Sequence, residues 1–290
     1  MVQLEGGRGK SFALRRAASI ALPEALISPG FEEQNIADRA ELAEALNELA
    51  TSAGLLRQRK LSVALPEASA RALILTPESQ VASKGELEEI LNWKMERGFG
   101  APVDEVSISR QRLAKDRQGR DRYLAIGVRN SVLAEYESVF HSLGWRAGMV
   151  LPRHFGEARW LVRNGKGGDS LLVTAHDAGF TAAVFRDHQP LILRSVVCAE
   201  DEREDEFYRL LLFYRDRQTV ESDNDSERIA HLLVVGTGFS KQRASEIADE
   251  TLGGHVHTLA PADVGLQLPA SELSFDAIAG AAGLATMHWS

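Results

Sequence analysis

A single cysteine, Cys198, stands among the 290 residues, so no internal disulfide can hold this chain together, as expected of a reducing compartment. Long hydrophobic runs are missing as well. The apolar stretch over 191–199 is strand-length and broken by Arg194, far short of the roughly 20 residues that cross a bilayer, so no transmembrane segment is expected. The opening string from Met1 to Gly7 has no basic flank followed by an apolar core, and no signal peptide is expected. Positive charge is in deficit: 33 Lys and Arg face 41 Asp and Glu, the formal charge is −8 and the sequence pI about 5.6. No basic stripe stands out, which disfavours a phosphate backbone as partner. The expectation is a soluble, cytoplasmic protein with no nucleic-acid partner and no direct insertion into a membrane.

Recognisable chemistry is equally sparse. Gly9-Lys10-Ser11 invites a phosphate-binding P-loop, but that motif needs a glycine where Leu4 stands, and a strand rather than a helix should follow, so a hairpin turn is expected. Gly236-Thr237-Gly238 continues with Lys241 where a dinucleotide fingerprint wants a third glycine. Nucleophile elbows of the G-x-S-x-G type are absent, and Ser170 sits at an expected strand start. His255 and His257 alternate onto one strand face, with His231 or Asp263 as possible helpers, yet no cysteine or third histidine stands at ligand spacing, and no metal site is assigned. The acids over 200–206 read as a helix N-terminus favoured by the macrodipole. Cys198 has no activating neighbour in sequence and reads as packing. No catalytic residue is assigned.

What the chain has is a globular composition, 44% apolar and 26% charged, and a length that suggests two domains or one domain split by an insertion. Strands are expected over 12–22, 61–65 and 71–75, with a helix capped by Asp38 and stopped at Gly54 between the first two. A new module is expected from residue 79. Ser83 and Glu86 have capping-box spacing, and the helix they open carries Leu87, Ile90, Leu91 and Trp93 before Gly98. Strands over 103–113 and 122–128, a helix over 131–143 and a strand over 145–151 complete a small α+β unit. After a helix over 152–163, the run 164–169 reads as a linker. Three strands over 170–175, 180–186 and 191–197, a helix over 202–218, a loop over 221–228, a strand over 231–235, a helix over 241–252, an edge strand over 256–259 and an Ala/Gly-rich helix over 275–287 follow.

Several strings, taken in order, resemble the PilM family, actin-like relatives of FtsA that serve type IV pilus assembly. They are Ile20-Ala21-Leu22-Pro23, Val63-Ala64-Leu65-Pro66, the helix from Glu86 to Trp93 leading to Pro102-Val103-Asp104-Glu105-Val106, Leu171-Leu172-Val173, Phe213-Tyr214-Arg215, the stretch 232–238 and Gly280-Ala281-Ala282-Gly283-Leu284-Ala285. The resemblance implies an α/β, actin-like fold of two RNase H-like halves with a small inserted α+β subdomain. Residues 1–78 with 152–168 would form the first half, 79–151 the insertion and 169–290 the second half.

Members of that fold grip nucleotide with two β-hairpin phosphate loops of D-x-G type, where the carboxylate orients Mg²⁺ and glycine admits phosphate to backbone N–H groups. By this resemblance the first loop should precede the strand from Val2 to Glu5, where the chain begins, and is expected to be missing. The second falls on Thr174-Ala175-His176, which has lost both carboxylate and glycine, with Asp177 displaced to the opposite strand face. Gly236-Thr237-Gly238 retains the shape of the adenosine-contacting turn. Thr174, His176, Asp177, Gly236, Thr237 and Gly238 are therefore the candidate remnants of a degenerate nucleotide site. No cofactor is expected, with ATP and Mg as the alternative.

The resemblance further implies a noncatalytic scaffold, peripheral to the inner membrane, that binds the N-terminal cytoplasmic tail of a PilN-like protein along with other pilus assembly components. The tail is expected at a seam between 60–75 and 79–151, where the neighbouring helices carry Trp93, Tyr136 and Phe140. The alternatives are an ATP-binding actin-like ATPase with a truncated N-terminus and residual activity, and the cytoplasmic domain of a type II secretion component of the same fold.

Overall fold

The computed structural model describes residues 1–6, 11–32, 34–77, 83–164, 168–221, 228–269 and 273–287. The chain divides into two compact units: Met1–Ser19 with Arg153–Ser290, and Ile20–Pro152.

The first unit is built on a five-stranded sheet. β8 (Asp169–His176), β9 (Gly179–Arg186) and β10 (Gln189–Val197) form an antiparallel meander. On the other side of β8, β11 (Ile229–Val235) runs parallel to it and β12 (His257–Thr258) runs parallel to β11, giving the order β10-β9-β8-β11-β12. This is an RNase H-like half, and its strands lie where the sequence pattern sets them.

Both faces of that sheet are covered, which is why Leu171-Leu172-Val173 and Leu232-Leu233-Val234-Val235 read as continuous apolar runs rather than alternating ones. Leu171, Val173, Leu232 and Val234 enter one core with Phe207, Leu211 and Tyr214 of α5 (Arg203–Glu221) and Ala244 and Ala248 of α6 (Lys241–Leu252). Leu172, Leu233 and Val235 enter a second core with Trp160 of α4 (Arg153–Asn164) and Phe275, Ala279 and Ala282 of α7 (Phe275–Thr286). The Ala/Gly content of α7 is explained by its crossing with α4. A Cβ on Gly156 would lie 2.0 Å from the Gly280 carbonyl oxygen, and one on Gly283 would lie 1.7 Å from that of Gly156. Only glycine permits this approach. The Trp160 indole N–H then reaches the Ala279 carbonyl at 2.9 Å. A second sheet in this unit has the order β1-β2-β13: β1 (Val2–Gly6) and β2 (Phe12–Ala17) are an antiparallel hairpin, and β13 (Leu266–Gln267) pairs parallel to β2.

The second unit holds two small sheets. β3 (Lys60–Leu65) pairs parallel with β7 (Arg146–Pro152), and β4 (Arg71–Leu75) and β5 (Val106–Leu113) flank β6 (Arg122–Arg129) antiparallel. α1 (Arg39–Ser52) starts where Asp38 accepts the amides of Ala40 and Glu41. Ser83 caps α2 (Lys84–Phe99) by accepting the Glu86 amide. That helix runs past Gly98 because Gly98 is a packing position, its missing Cβ leaving room for Leu73, and Gly100, at φ +68°, is the left-handed stop. α2 lays Leu91, Met95 and Phe99 on Tyr123 and Ala125 of β6, and α3 (Asn130–Ser142) runs from the end of β6 to the start of β7.

The expected division at residue 78/79 is corrected by these pairings. Leu61 to Leu65 joins the strand from 146 onward, and Arg71 to Leu75 joins β6, so 60–75 and 79–151 belong to one compact unit. The capping box at Ser83 marks the start of a helix, and local cap chemistry says nothing of which strands its neighbours will seek. The expected break at 164–169 is likewise replaced by one at Pro152/Arg153, because α4 buries Trp160 and Leu161 against the cores that follow it in sequence. Residues 165–167 of that run, and 222–227 of the expected loop, lie outside the described residues.

Candidate functional site

The residues expected to be remnants of a nucleotide site lie inside the first unit, on β8, the β8–β9 turn and the turn after β11, beside the head of α5. Thr174 does not reach the turn. It is a fully buried residue of β8 whose hydroxyl donates to Glu157, a buried carboxylate of α4 that also accepts Arg153 Nε at 2.8 Å. The Thr174 side chain is thus spent on an interior hydrogen bond. The turn itself is Asp177-Ala178, and Gly179 with φ +136° is held under the Val196 carbonyl, where a Cβ would sit 2.1 Å from the oxygen.

Gly236, at φ +106°, lies against the end of β8, with the Ala175 carbonyl oxygen 2.2 Å from where a Cβ would be. The two turns are therefore in contact. Arg203, the first residue of α5 and itself buried, ties them: Nη1 donates to the carbonyls of Gly238 at 2.7 Å and Thr237 at 3.2 Å, and Nη2 to those of His176 at 2.8 Å and Asp177 at 3.4 Å. A guanidinium presents its donors in a rigid planar fork, which suits two carbonyl pairs facing each other. The Gly236 amide donates to Asp276 at 3.0 Å, and the same carboxylate holds Lys241 Nζ at 2.9 Å. His176, Asp177, Gly236, Thr237 and Gly238 are thus brought together as the sequence suggests, and Thr174 is set apart from them. Arg203, Asp276 and Glu157 were not among the expected site residues. Arg203 was hidden in the acidic run 200–206, where a lone arginine reads as helix surface.

At the head of the chain β1 and β2 form an antiparallel hairpin. Glu5 and Gly6 end β1, while residues 7–10, which include Gly9 and Lys10, lie outside the described residues.

The histidines do not converge on a metal. His255 pairs with Asp249 at 3.1 Å, and His257 faces His231 across the β11–β12 pairing with ring centroids 6.3 Å apart and Asp263 3.9 Å from its Nε2. Among the described residues no group of three or more side chains could hold an ion. Burial, then the facing His257, pushes the His231 pKa down. Burial also pushes the Cys198 thiol up, against the pull of Arg203, which leaves it less reactive than an ordinary cysteine. The acids over 200–206 act as a helix start: Glu202 accepts the Ala199 amide at 3.1 Å, and Glu204 pairs with Arg243 at 3.1 Å.

In the second unit the expected seam now runs between the β3–β7 and β4–β6–β5 sheets. β3 pairs with β7 alone and β4 with β6 alone among the described residues, leaving one edge of each open. The turn between them is fixed from below by a buried polar cluster: Glu135 accepts the amides of Asn35 at 2.8 Å and Ile36 at 3.1 Å, and Asn35 Oδ1 accepts the Ser69 hydroxyl. Tyr136 and Phe140 are core, whereas Trp93 is 56% exposed and stacks on Arg97.

The sequence matches no family model and no curated protein. Among solved structures, a "PilM-PilN type IV pilus biogenesis complex" superposes over 100% of this chain and 95% of the other, with TM-score 0.73 at 17% identity. A Bacteroides thetaiotaomicron protein with an actin-like ATPase fold and unknown function covers 79% of this chain and 80% of its own, with TM-score 0.45 at 11% identity. The cytoplasmic domain of EpsL, an inner membrane component of the Vibrio cholerae type II secretion system, covers 67% of each, with TM-score 0.40 at 15% identity. The chain has the actin-like fold, and the resemblance to PilM holds over its full length at the level of that fold. Among the described residues no helix is long and apolar enough to cross a membrane.

Proposed function

We propose that this chain is a noncatalytic scaffold of type IV pilus assembly, cytoplasmic and peripheral to the inner membrane, held there by the extended cytoplasmic tail of a PilN-like protein. The observation that carries the noncatalytic part is the Arg203 clamp. A phosphate needs inward-facing N–H groups in these two turns, and here their carbonyls face a buried guanidinium while the Gly236 amide is occupied by a carboxylate. The partner part is supported by the full-length likeness to a PilM–PilN complex and by the open edges of β3 and β4, which an extended peptide could join by main-chain hydrogen bonds.

A second reading is kept because Glu5-Gly6-Gly7 is an acid-x-glycine string in the sequence and its Glu5 and Gly6 end β1: an actin-like protein that binds Mg-ATP there. Calorimetry separates the two. The scaffold reading expects no Mg-ATP binding at micromolar concentrations and no hydrolysis, and micromolar affinity would move the conclusion to the second. For the partner, a PilN-like tail peptide titrated into isotope-labelled protein should shift amides over 60–75 and 79–151. Shifts confined to 170–260 would sink the seam.

A further inference from the structure

The chain is acidic overall, yet the structure gathers four cations that the sequence keeps in two separate places. Leu55 to Gln58 is a turn closed by the Gln58 amide donating to the Leu55 carbonyl at 2.9 Å, so Leu56 and Arg57 occupy its tip. Lys60, at the start of β3, is in register beside Arg146 at the start of β7, which puts both side chains on one face. Arg59 directly precedes Lys60, accepting the Arg146 amide at its carbonyl and donating Nη1 to the Leu143 carbonyl at 3.1 Å, at the C-terminus of α3 where a cation also suits the helix dipole. All four are exposed, and no carboxylate lies within ion-pair distance of Arg57, Arg59, Lys60 or Arg146 among the described residues. Beside them Leu56 is 46% exposed.

The other basic feature of the chain is different in kind. Residues 110–122, the β5–β6 hairpin, hold six basic and two acidic side chains. There Arg110 is paired with Glu88, Arg112 and Lys115 with Asp121, and Arg120 with Asp116. Most of that charge is neutralised locally, whereas the charge around Leu56 is not.

We propose that Arg57, Arg59, Lys60 and Arg146, with Leu56 next to Arg57 at the turn tip, form a contact surface for the headgroups of an anionic phospholipid membrane. Unpaired cations close to such a surface each raise partitioning about fivefold, and an apolar side chain at the tip of a turn gains by entering the boundary between headgroups and acyl chains. A polyanion without an apolar layer would leave Leu56 unused. The chain as a whole carries −8, so the rest of it, without these four cations, is more negative still and is repelled by the same surface. The contact is therefore weak and oriented, and would act as a second signal beside a protein anchor. The choice of a lipid surface over an acidic protein rests on the proposed attachment to a membrane-anchored partner.

The test uses the full chain without any partner tail, so its outcome is separate from that of the peptide titration. Protein is sedimented with phosphatidylcholine vesicles, with and without phosphatidylglycerol, at low and high salt. Binding to the anionic vesicles alone, abolished by salt, is expected. The variant R57E/K60E/R146E, which leaves Arg59 on α3, should lower it at least about tenfold, and L56S should lower it less without changing its salt dependence. R57Q/K60Q, which adds no acid, decides the matter if the triple variant does not fold. Equal binding to neutral vesicles, no effect of R57Q/K60Q, or an equal loss in the hairpin variant K115E/R117E would overturn the proposal.

Discussion

β8–β9 and β5–β6 are both antiparallel hairpins with eight residues in each strand, and they end in opposite situations. β8 and β9 are each buried at seven positions, while β5 is buried at two and exposed along its middle. The charges follow. At the base of β8–β9, Asp169 takes a bidentate pair of bonds from Arg186 at 2.8 and 2.7 Å and one from the Tyr214 hydroxyl at 2.7 Å, and burial, then the Asp169 charge, pushes the Tyr214 pKa far up. On β5–β6 the ion pairs stand at the surface. Their turns differ as well, since Arg203 clamps the first from inside and the second closes on itself, Asp116 holding the backbone and side chain of Arg120. A hairpin's sequence fixes its register, but what covers it decides whether its polar groups must be satisfied internally.

The sharpest way to break the comparison is at a close helix crossing. Gly156→Leu should prevent the first unit from folding, because the side chain meets backbone rather than a flexible neighbour, whereas Gly30→Ala, with nothing within 4 Å, should leave the thermal midpoint unchanged. Next in size is the buried ion pair. Arg186→Met leaves Asp169 buried with Tyr214 alone and should cost about 2–4 kcal/mol in chemical denaturation, discounted because the guanidinium keeps an exposed edge. The matching Arg112→Met, on the exposed pair with Asp121, should cost nothing measurable. Equal losses would mean that the two hairpins are not different in the way described.

Arg203→Met tests the clamp. Four carbonyls lose a buried donor, a change expected to cost about 1–3 kcal/mol, with faster hydrogen exchange in the amides around 176–179 and 236–239 and none in the β5–β6 hairpin. Unchanged exchange would show that the turns hold themselves. The smallest effect is on pH. His231 is harder to protonate folded than unfolded, so below its ordinary value near 6.5 the unfolded chain takes up more protons. Its contribution to stability is present above that value and is lost as pH falls through the lowered folded pKa. His231→Gln should flatten that part of the dependence of the thermal midpoint.

The helix starts at Asp38 and Ser83, the meander over 169–197 and the helix 241–252 were legible because each is set by local chemistry: a cap side chain, a tight turn, an apolar run of strand length. The grouping of His176 and Asp177 with Gly236-Thr237-Gly238 was legible through family resemblance alone, since nothing local says that two turns sixty residues apart will touch. Arg203 and Asp276 were not legible by either route. A single arginine among acids and a first-turn aspartate on a helix are ordinary surface residues by pattern, and become site residues only when two turns converge on one and a glycine amide on the other. Trp93 went the other way, a core residue by pattern that the helix turns outward because Leu91, Met95 and Phe99 already fill the face toward β6.

By itself the sequence determined where most strands and helices lie, because periodicity and caps act within a few residues, but not all of their ends: the strand expected over 12–22 stops at Ala17, the one expected from 103 starts at Val106, and the helix expected to stop at Gly98 runs to Phe99. Only the tertiary structure decided that β3 would seek β7, that 20–152 would pack as one unit, and that Lys60 and Arg146 would stand side by side. Strand pairing joins residues far apart in the chain through backbone groups that every residue carries alike, so the side-chain pattern constrains which face is buried but not which partner is chosen.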